Sequence, residues 1–209
     1  MRSTGVQTLT PREARRESIV RTAKELFFAE GYSATSMATI AAKVGGSKGT
    51  LYNYFPSKEQ LFEAVVDDFC LASKQRIGQL DLDDSDFHAA LVRFGVQLVR
   101  HMLSDDAIAM HRLLGAEAER FPELGQTYYG HVVQTTKAQL LEHFDGAMKA
   151  GKLRKAETAT VVKHFYELCL SGLYRHRLWN ITPPPEDDEI QQSVEQAVDA
   201  FLNGYTPRD

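Results

Sequence analysis

The run from Val44 to Leu61, VGGSKGTLYNYFPSKEQL, constrains this chain more than any other. Upstream of it, Met37, Ile40, Ala41 and Val44 recur at i, i+3, i+4 and i+7, one apolar face of a helix. Gly45 and Gly46 can take the positive-φ geometry that reverses a chain. Ser47 can then cap a short second helix whose inward positions are Leu51 and Phe55, until Pro56 stops it. Lys48, Thr50, Tyr52, Asn53 and Tyr54 are left on the other sides of that helix. Two helices joined by a glycine turn, the second crowded with groups that bond phosphate or base edges, form a helix-turn-helix pattern. The pattern predicts a DNA-binding chain.

The rest of the chain has helical periodicity throughout. Ile19, Ala23, Leu26 and Phe27 predict a helix over Glu13–Glu30, with Gly31 placed to end it. Thr35 or Ser36 can cap the helix that follows. Ser57 with Gln60 has the form of a capping box opening a helix to about Ile77. The acidic stretch 78–86 reads as a turn. Beyond it the pattern predicts helices over Phe87–Leu103 and Ala107–Arg120, then a long one from Pro122 closed by Gly151. Ala156–Trp179 is apolar on more than one face. The PPPEDDE segment at 183–189 reads as a rigid elbow before a last amphipathic helix, Ile190 to Leu202. No strand pattern and no repeat emerges. The fold class expected is all-α with about nine helices: a three-helix head over residues 12–60 on a larger helical body over 61–205.

A net charge of −4 argues by itself against a polyanionic partner, but the charge is unevenly spread. Residues 1–60 hold nine Lys/Arg against five Asp/Glu, and the remainder fifteen against twenty-three. A basic head on an acidic body concentrates positive field where DNA would dock. Cys70 and Cys169 sit in apolar helical surroundings without metal-ligand spacing, as small core residues of a reduced, cytoplasmic protein do. No signal-peptide core and no membrane-length apolar run is present. Gly45-x-Ser47-x-Gly49 matches a nucleophile elbow only formally, because a helix rather than a strand precedes it. GGSKGT lacks the Gly-Lys-Ser/Thr order of a phosphate loop. The seven histidines are scattered, so neither a metal, a cofactor nor enzymatic activity is expected.

Residues 35–62, TSMATIAAKVGGSKGTLYNYFPSKEQLF, closely resemble the DNA-binding head of the TetR-type bacterial transcriptional regulators. With Gly31-Tyr32 and the preceding helix, the resemblance covers roughly residues 12–65. RLLGAEAERFPELGQTYY at 112–129 is similar to the C-terminal domain of one broad subgroup of repressors. The chain departs from the family at Gly46, where a branched apolar residue usually wedges the two helices. A looser turn is expected in its place.

The residues of the head then acquire roles. Lys48 and Thr50 lie where a recognition helix meets base edges, Lys48 suited to guanine and Thr50 to a thymine methyl or a hydroxyl contact. Asn53 suits adenine, and Gly49 lets backbone approach DNA closely. The resemblance assigns Tyr52 and Tyr54 to phosphate. Lys58 would bond phosphate at the start of its helix, as would Thr35 and Ser36 beyond their capping role. Arg12, Arg15 and Arg16 read as a solvated basic end, with a minor-groove arm as the alternative. Two heads on a homodimer would read a pseudo-palindrome. The last two helices are the dimer candidates, because Val161, Phe165, Leu168 and Gly172 form one stripe and Val162, Cys169 and Leu173 another. By resemblance the body would hold a cavity for an apolar or amphipathic small-molecule effector, with Phe94, Met102, Met110, Leu114, Tyr128, Phe144, His164 and Phe165 as candidate lining. The function implied is a regulator, a repressor by family default, released from its operator by that effector. A helical ligand-binding or scaffolding protein with a silent DNA head is the alternative.

Overall fold

The computed structural model describes residues 10–78 and 85–207. Its helices are α1 (Pro11–Glu30), α2 (Met37–Val44), α3 (Lys48–Tyr54), α4 (Lys58–Ile77), α5 (Phe87–Leu103) and α6 (Asp105–Glu117). After these come α7 (Pro122–Tyr128), a π-helical turn (Tyr129–Val133), α8 (Gln134–Lys149), α9 (Thr158–Cys169), α10 (Leu173–Leu178) and α11 (Asp187–Tyr205). The helices α7 and α8 run on through the π turn without a break, and no strand occurs among the described residues. The all-α expectation holds. Most of the acidic turn at 78–86 lies outside the described residues.

The termini follow from local chemistry. At α1, Thr10 and Glu13 form a reciprocal capping box with Pro11 in the first turn, so the helix begins two residues before the expected Glu13. Helix α2 is capped by Ser36, whose Oγ accepts from the Thr39 N–H at 3.1 Å, and not by Thr35. Its far end closes in a Schellman turn: the Gly46 N–H donates to the Ala41 carbonyl and the Gly45 N–H to that of Ala42. Only Gly45 takes the left-handed conformation, at φ 76° and ψ 55°. Ser57 opens α4 by accepting from the Gln60 N–H.

The described chain divides into two compact units. One holds the residues through Asp68 together with Leu113–Thr127; the other holds Phe69–Arg112 and the residues from Tyr128 onward. In the first, Tyr32 is fully buried and packs its ring against Phe27, Phe62 and Phe121 at centroid distances of 5.3, 5.6 and 5.2 Å. Each such aromatic pair adds about 0.5–1.5 kcal/mol beyond area burial. Ile19, Leu26, Ile40, Leu51, Phe55 and Leu61 complete this core.

In the second unit α5 packs against α9 and α11. Gly95 permits that approach: a Cβ there would lie 2.7 Å from Val194 Cγ1 and 3.3 Å from Cys169 Sγ. Phe94, Phe144, Phe165 and Phe201 form a continuous ring cluster at the centre, each burial contributing about 1.5–3 kcal/mol. The stretch Ala156–Trp179, apolar on more than one face, forms not one helix but two, α9 and α10, parted at Gly172 with φ 84°. The two-stripe argument for a dimer also changes. Val161, Val162, Phe165 and Cys169 are all buried within one chain, so no second chain is needed to cover them.

Candidate nucleic-acid interface and an apolar cavity

Helix α3 presents its polar residues outward. Lys48, Gly49, Thr50, Tyr52 and Asn53 are exposed, and Tyr54 is half-buried. Ser47 caps the helix through the Thr50 N–H at 3.1 Å and also bonds the Thr50 hydroxyl at 2.8 Å, which fixes the rotamer of that side chain. The Lys48 ammonium lies 5.8 Å from the centre of the Tyr52 ring. Leu51 and Phe55, both 3% exposed, anchor the helix inward. Ser36, exposed at the start of α2, shares its hydroxyl with Thr39. The structure therefore gathers Ser36 and the α3 residues as accessible hydrogen-bonding groups.

Thr35 is corrected, and Lys58 is turned away from the exposed array of α3. Thr35 is 0% exposed, and its hydroxyl bonds the carbonyls of Leu26 and Gly31, so no phosphate reaches it. Lys58 turns inward: Nζ donates to the Tyr32 carbonyl at 2.8 Å and the Thr35 carbonyl at 3.1 Å, above the Tyr32 ring at 4.1 Å. Burial lowers its pKa below the ordinary lysine value. Both residues hold the α1–α2 turn in shape. Glu117 does the same from α6, accepting from the Ser33 N–H and hydroxyl at 2.9 Å each, and the N–H bond holds its carboxyl below the usual value.

Two arginines of α1, Arg15 and Arg16, also serve the fold. Arg15 donates to the Val44 carbonyl at 3.2 Å and the Gly45 carbonyl at 3.0 Å, and a Cβ on Gly46 would lie 2.8 Å from its Nη2. The guanidinium thus occupies the side of the turn where the family carries its apolar wedge. The hollow left there is only about 10 Å³, room for one water at most. Arg16 stacks over Phe55 at 5.1 Å. The looser turn expected from Gly46 is replaced by a turn clamped from α1.

The second unit contains a cavity of about 440 Å³. That is within the roughly 300–1,000 Å³ of small-molecule sites. Its apolar wall comes from Ile77, Leu98, Met102, Val132, Leu140 and Val162, with the rings of Tyr128 and Tyr166. Of the expected lining residues, Met102 and Tyr128 are there. Phe94, Met110, Phe144 and Phe165 are closed core, at most 3% exposed. Leu114 belongs to the first unit. His164 is exposed on the outer side of α9, its Nδ1 2.6 Å from the Tyr205 hydroxyl.

Sequence reasoning missed two histidines. His101 lines the cavity and is 5% exposed, and burial pushes its pKa down to about 4, with the charge of Arg76 second. Its Nδ1 is closed off from solvent and has no hydrogen-bond partner among the described residues. His111 is held between the Tyr128 hydroxyl at 2.7 Å and the Tyr174 hydroxyl at 3.0 Å, and burial lowers it also to about 4. Both are neutral near pH 7. The available signal was position: Leu91, Phe94, Leu98 and His101 follow one face of α5. Among the described residues no cluster of His, Cys, Asp or Glu could hold a metal, and no helix is long and apolar enough to cross a membrane.

Known proteins share this architecture. Residues 19–65 match the profile of the bacterial regulatory proteins of the tetR family, and residues 89–207 that of the AefR-like transcriptional repressor C-terminal domain. The uncharacterized helix-turn-helix-type transcriptional regulator YhgD of Bacillus subtilis is 22% identical over 84% of this chain and 89% of its own. The flavonoid-responsive regulator FrrA superposes with a TM-score of 0.82 at 28% identity, covering 94% of this chain and 99% of that one. A TetR family transcriptional regulator from Pseudomonas syringae pv. tomato gives a TM-score of 0.75 at 25% identity, over 94% and 98%. The chain belongs to the TetR family of transcriptional regulators, which are DNA-binding proteins and not enzymes.

Proposed function

We propose that this chain is a homodimeric repressor that binds a pseudo-palindromic operator and leaves it when an apolar or amphipathic effector fills the cavity in its second unit. The observation that carries the reading is the outward array of Lys48, Thr50, Tyr52 and Asn53 on a helix anchored by Leu51 and Phe55. Lys48 and Asn53 serve guanine and adenine edges, and Thr50 a thymine methyl. Ser36, Tyr52 and Tyr54 serve phosphates, and Gly49 lets the protein backbone approach the DNA closely. Arg15, Thr35 and Lys58 act behind them by fixing the turn and the helix starts.

Dimerisation through α9 and α11 is supported by a groove of about 410 Å³ between them, floored by Leu168, Ser171, Ala200, Phe201 and Gly204. Small residues at such a place let a second helix pair approach closely. A small-molecule effector is supported by the apolar cavity and by the flavonoid response of FrrA. The effector acts by population shift, and only to the extent that it prefers the form that does not bind DNA.

The test is selection of duplex DNA on the purified protein, with the winning sequences titrated against salt. An inverted repeat bound by a dimer, with affinity falling steeply in salt, is the expected result. Absence of an enriched sequence would favour the scaffolding alternative. Substituting Lys48, Tyr52 and Asn53 by Ala together should abolish operator binding while leaving helicity intact. Survival of binding would reject the contact assignment.

A further inference from the structure

A threonine carries a hydroxyl and a methyl on one carbon, and what it reads in a major groove depends on which of them faces the base edge. In α3 the hydroxyl is already engaged. Ser47 Oγ accepts from the Thr50 N–H at 3.1 Å and lies 2.8 Å from Thr50 Oγ1, so one serine oxygen holds both backbone and side chain. A β-branched side chain has few χ1 choices, and with its oxygen held at the cap the tetrahedral Cβ turns its methyl to another side. Thr50 is exposed, beside the exposed Lys48 and Asn53. The same pairing recurs at the start of α2, where Ser36 Oγ accepts from the Thr39 N–H at 3.1 Å and lies 2.9 Å from Thr39 Oγ1. It is therefore what a serine cap does with a threonine three residues on.

Resting on the operator reading above, we propose that Ser47 is a positioning residue: by holding the Thr50 hydroxyl it makes Thr50 a reader of the pyrimidine C5 methyl alone. A side chain that reads by hydrogen bonds separates thymine from cytosine, because one presents the O4 acceptor and the other the N4 donor. A methyl reader draws a different line. Thymine and 5-methylcytosine fall on one side of it, uracil and cytosine on the other. The hydrogen-bonding ends of Lys48 and Asn53 do not make that distinction. Methylation of a cytosine at the position Thr50 meets would then raise the affinity of the head for that site, with no change in base pairing.

The experiment uses the full-length protein and duplexes carrying the selected operator. Each pyrimidine of one half-site is made in turn thymine, uracil, 5-methylcytosine or cytosine, with the opposite base matched, and affinity is read by fluorescence anisotropy. At one position the methyl should strengthen binding about fourfold in both pairs, thymine over uracil and 5-methylcytosine over cytosine. Thr50→Ser should erase that ratio, and Thr50→Val should keep it. Ser47→Gly, which spares the helix start but frees the hydroxyl, should reduce it. Ser47→Asn, a cap that still accepts from both groups of Thr50, should restore it. Should Ser47→Gly fail to fold, a nuclear Overhauser contact between the Thr50 methyl and a thymine methyl in the wild-type complex is the expected result. Uracil and thymine binding alike at every position would overturn the proposal, as would a ratio that survives Thr50→Ser or Ser47→Gly. Loss of the ratio in Ser47→Asn, or absence of the methyl contact, would overturn it too. Selection that enriches no sequence would strike the operator reading itself, whereas an enriched operator indifferent to the methyl strikes only the assignment of Ser47 and Thr50.

Discussion

Lys58 and Lys48 are the same residue type ten positions apart, and the structure places them oppositely, Lys48 outward and Lys58 inward. Lys58 satisfies two carbonyls beneath the α1–α2 turn, so Lys58→Met should destabilise the protein by about 1–3 kcal/mol, read by urea unfolding. The slope of log affinity against log salt should stay unchanged in that variant. Lys48→Ala should do the reverse, leaving stability within about 0.5 kcal/mol and lowering the salt slope by about one. If Lys58→Met lowered the slope, its ammonium would be a phosphate ligand after all. The sequence placed both lysines at helix starts, and there it ran out. Periodicity sorts faces along a helix, but it does not tell whether a side chain at a first turn reaches solvent or folds back on a neighbouring loop. Thr35 was misread for the same reason.

At the scale of elements, α5 meets α9 and α11 closely at Gly95. Gly95→Ala gains helix propensity of about 0.5–1 kcal/mol, yet its methyl meets Val194 and Cys169 on two other helices. Overpacking costs roughly 1–3 kcal/mol, so the expected outcome is net destabilisation, visible as a lower urea midpoint at unchanged m. A more stable variant would show that α9 and α11 yield easily. Helix existence was legible from apolar spacing, and α5 was legible to the residue. The break at Gly172 was not, because the apolar run continues across it and a glycine within such a run reads equally as a packed helical position. The π turn was equally hidden: one extra residue in a turn leaves no mark on the periodicity of Tyr128, Val132 and Leu140.

For the whole molecule, stability should depend on acid in a specific window. His101 and His111 fold neutral with values near 4, against 6.5 when unperturbed, so the unfolded chain binds their protons first as pH falls. Their contribution is complete above about pH 6.5 and is lost progressively down to about pH 4. Between pH 7 and 5 the two together should cost on the order of 2–4 kcal/mol, measured by denaturant unfolding at each pH. A flat profile over that range would mean that both rings take up protons as readily in the folded protein as in the unfolded chain. The candidate cavity was barely legible in advance, two of eight lining residues, because an apolar stripe specifies burial and not whether the buried space is filled. The recognition helix was legible because exposed polar side chains beside two apolar anchors have few other uses.

The clamp at the helix-turn-helix makes positions 15 and 46 a linked pair in heredity. A valine at 46 alone displaces the Arg15 guanidinium, and Arg15→Ala alone strips the carbonyls of Val44 and Gly45 of their donor. Arg15→Ala with Gly46→Val together should rebuild the apolar wedge, with a coupling of about 1–2 kcal/mol in the double-mutant cycle. Purely additive losses would show the two solutions to be independent. If the coupling holds, a lineage passing from one solution to the other crosses a less stable intermediate, so the order in which the two substitutions arise decides which path remains open.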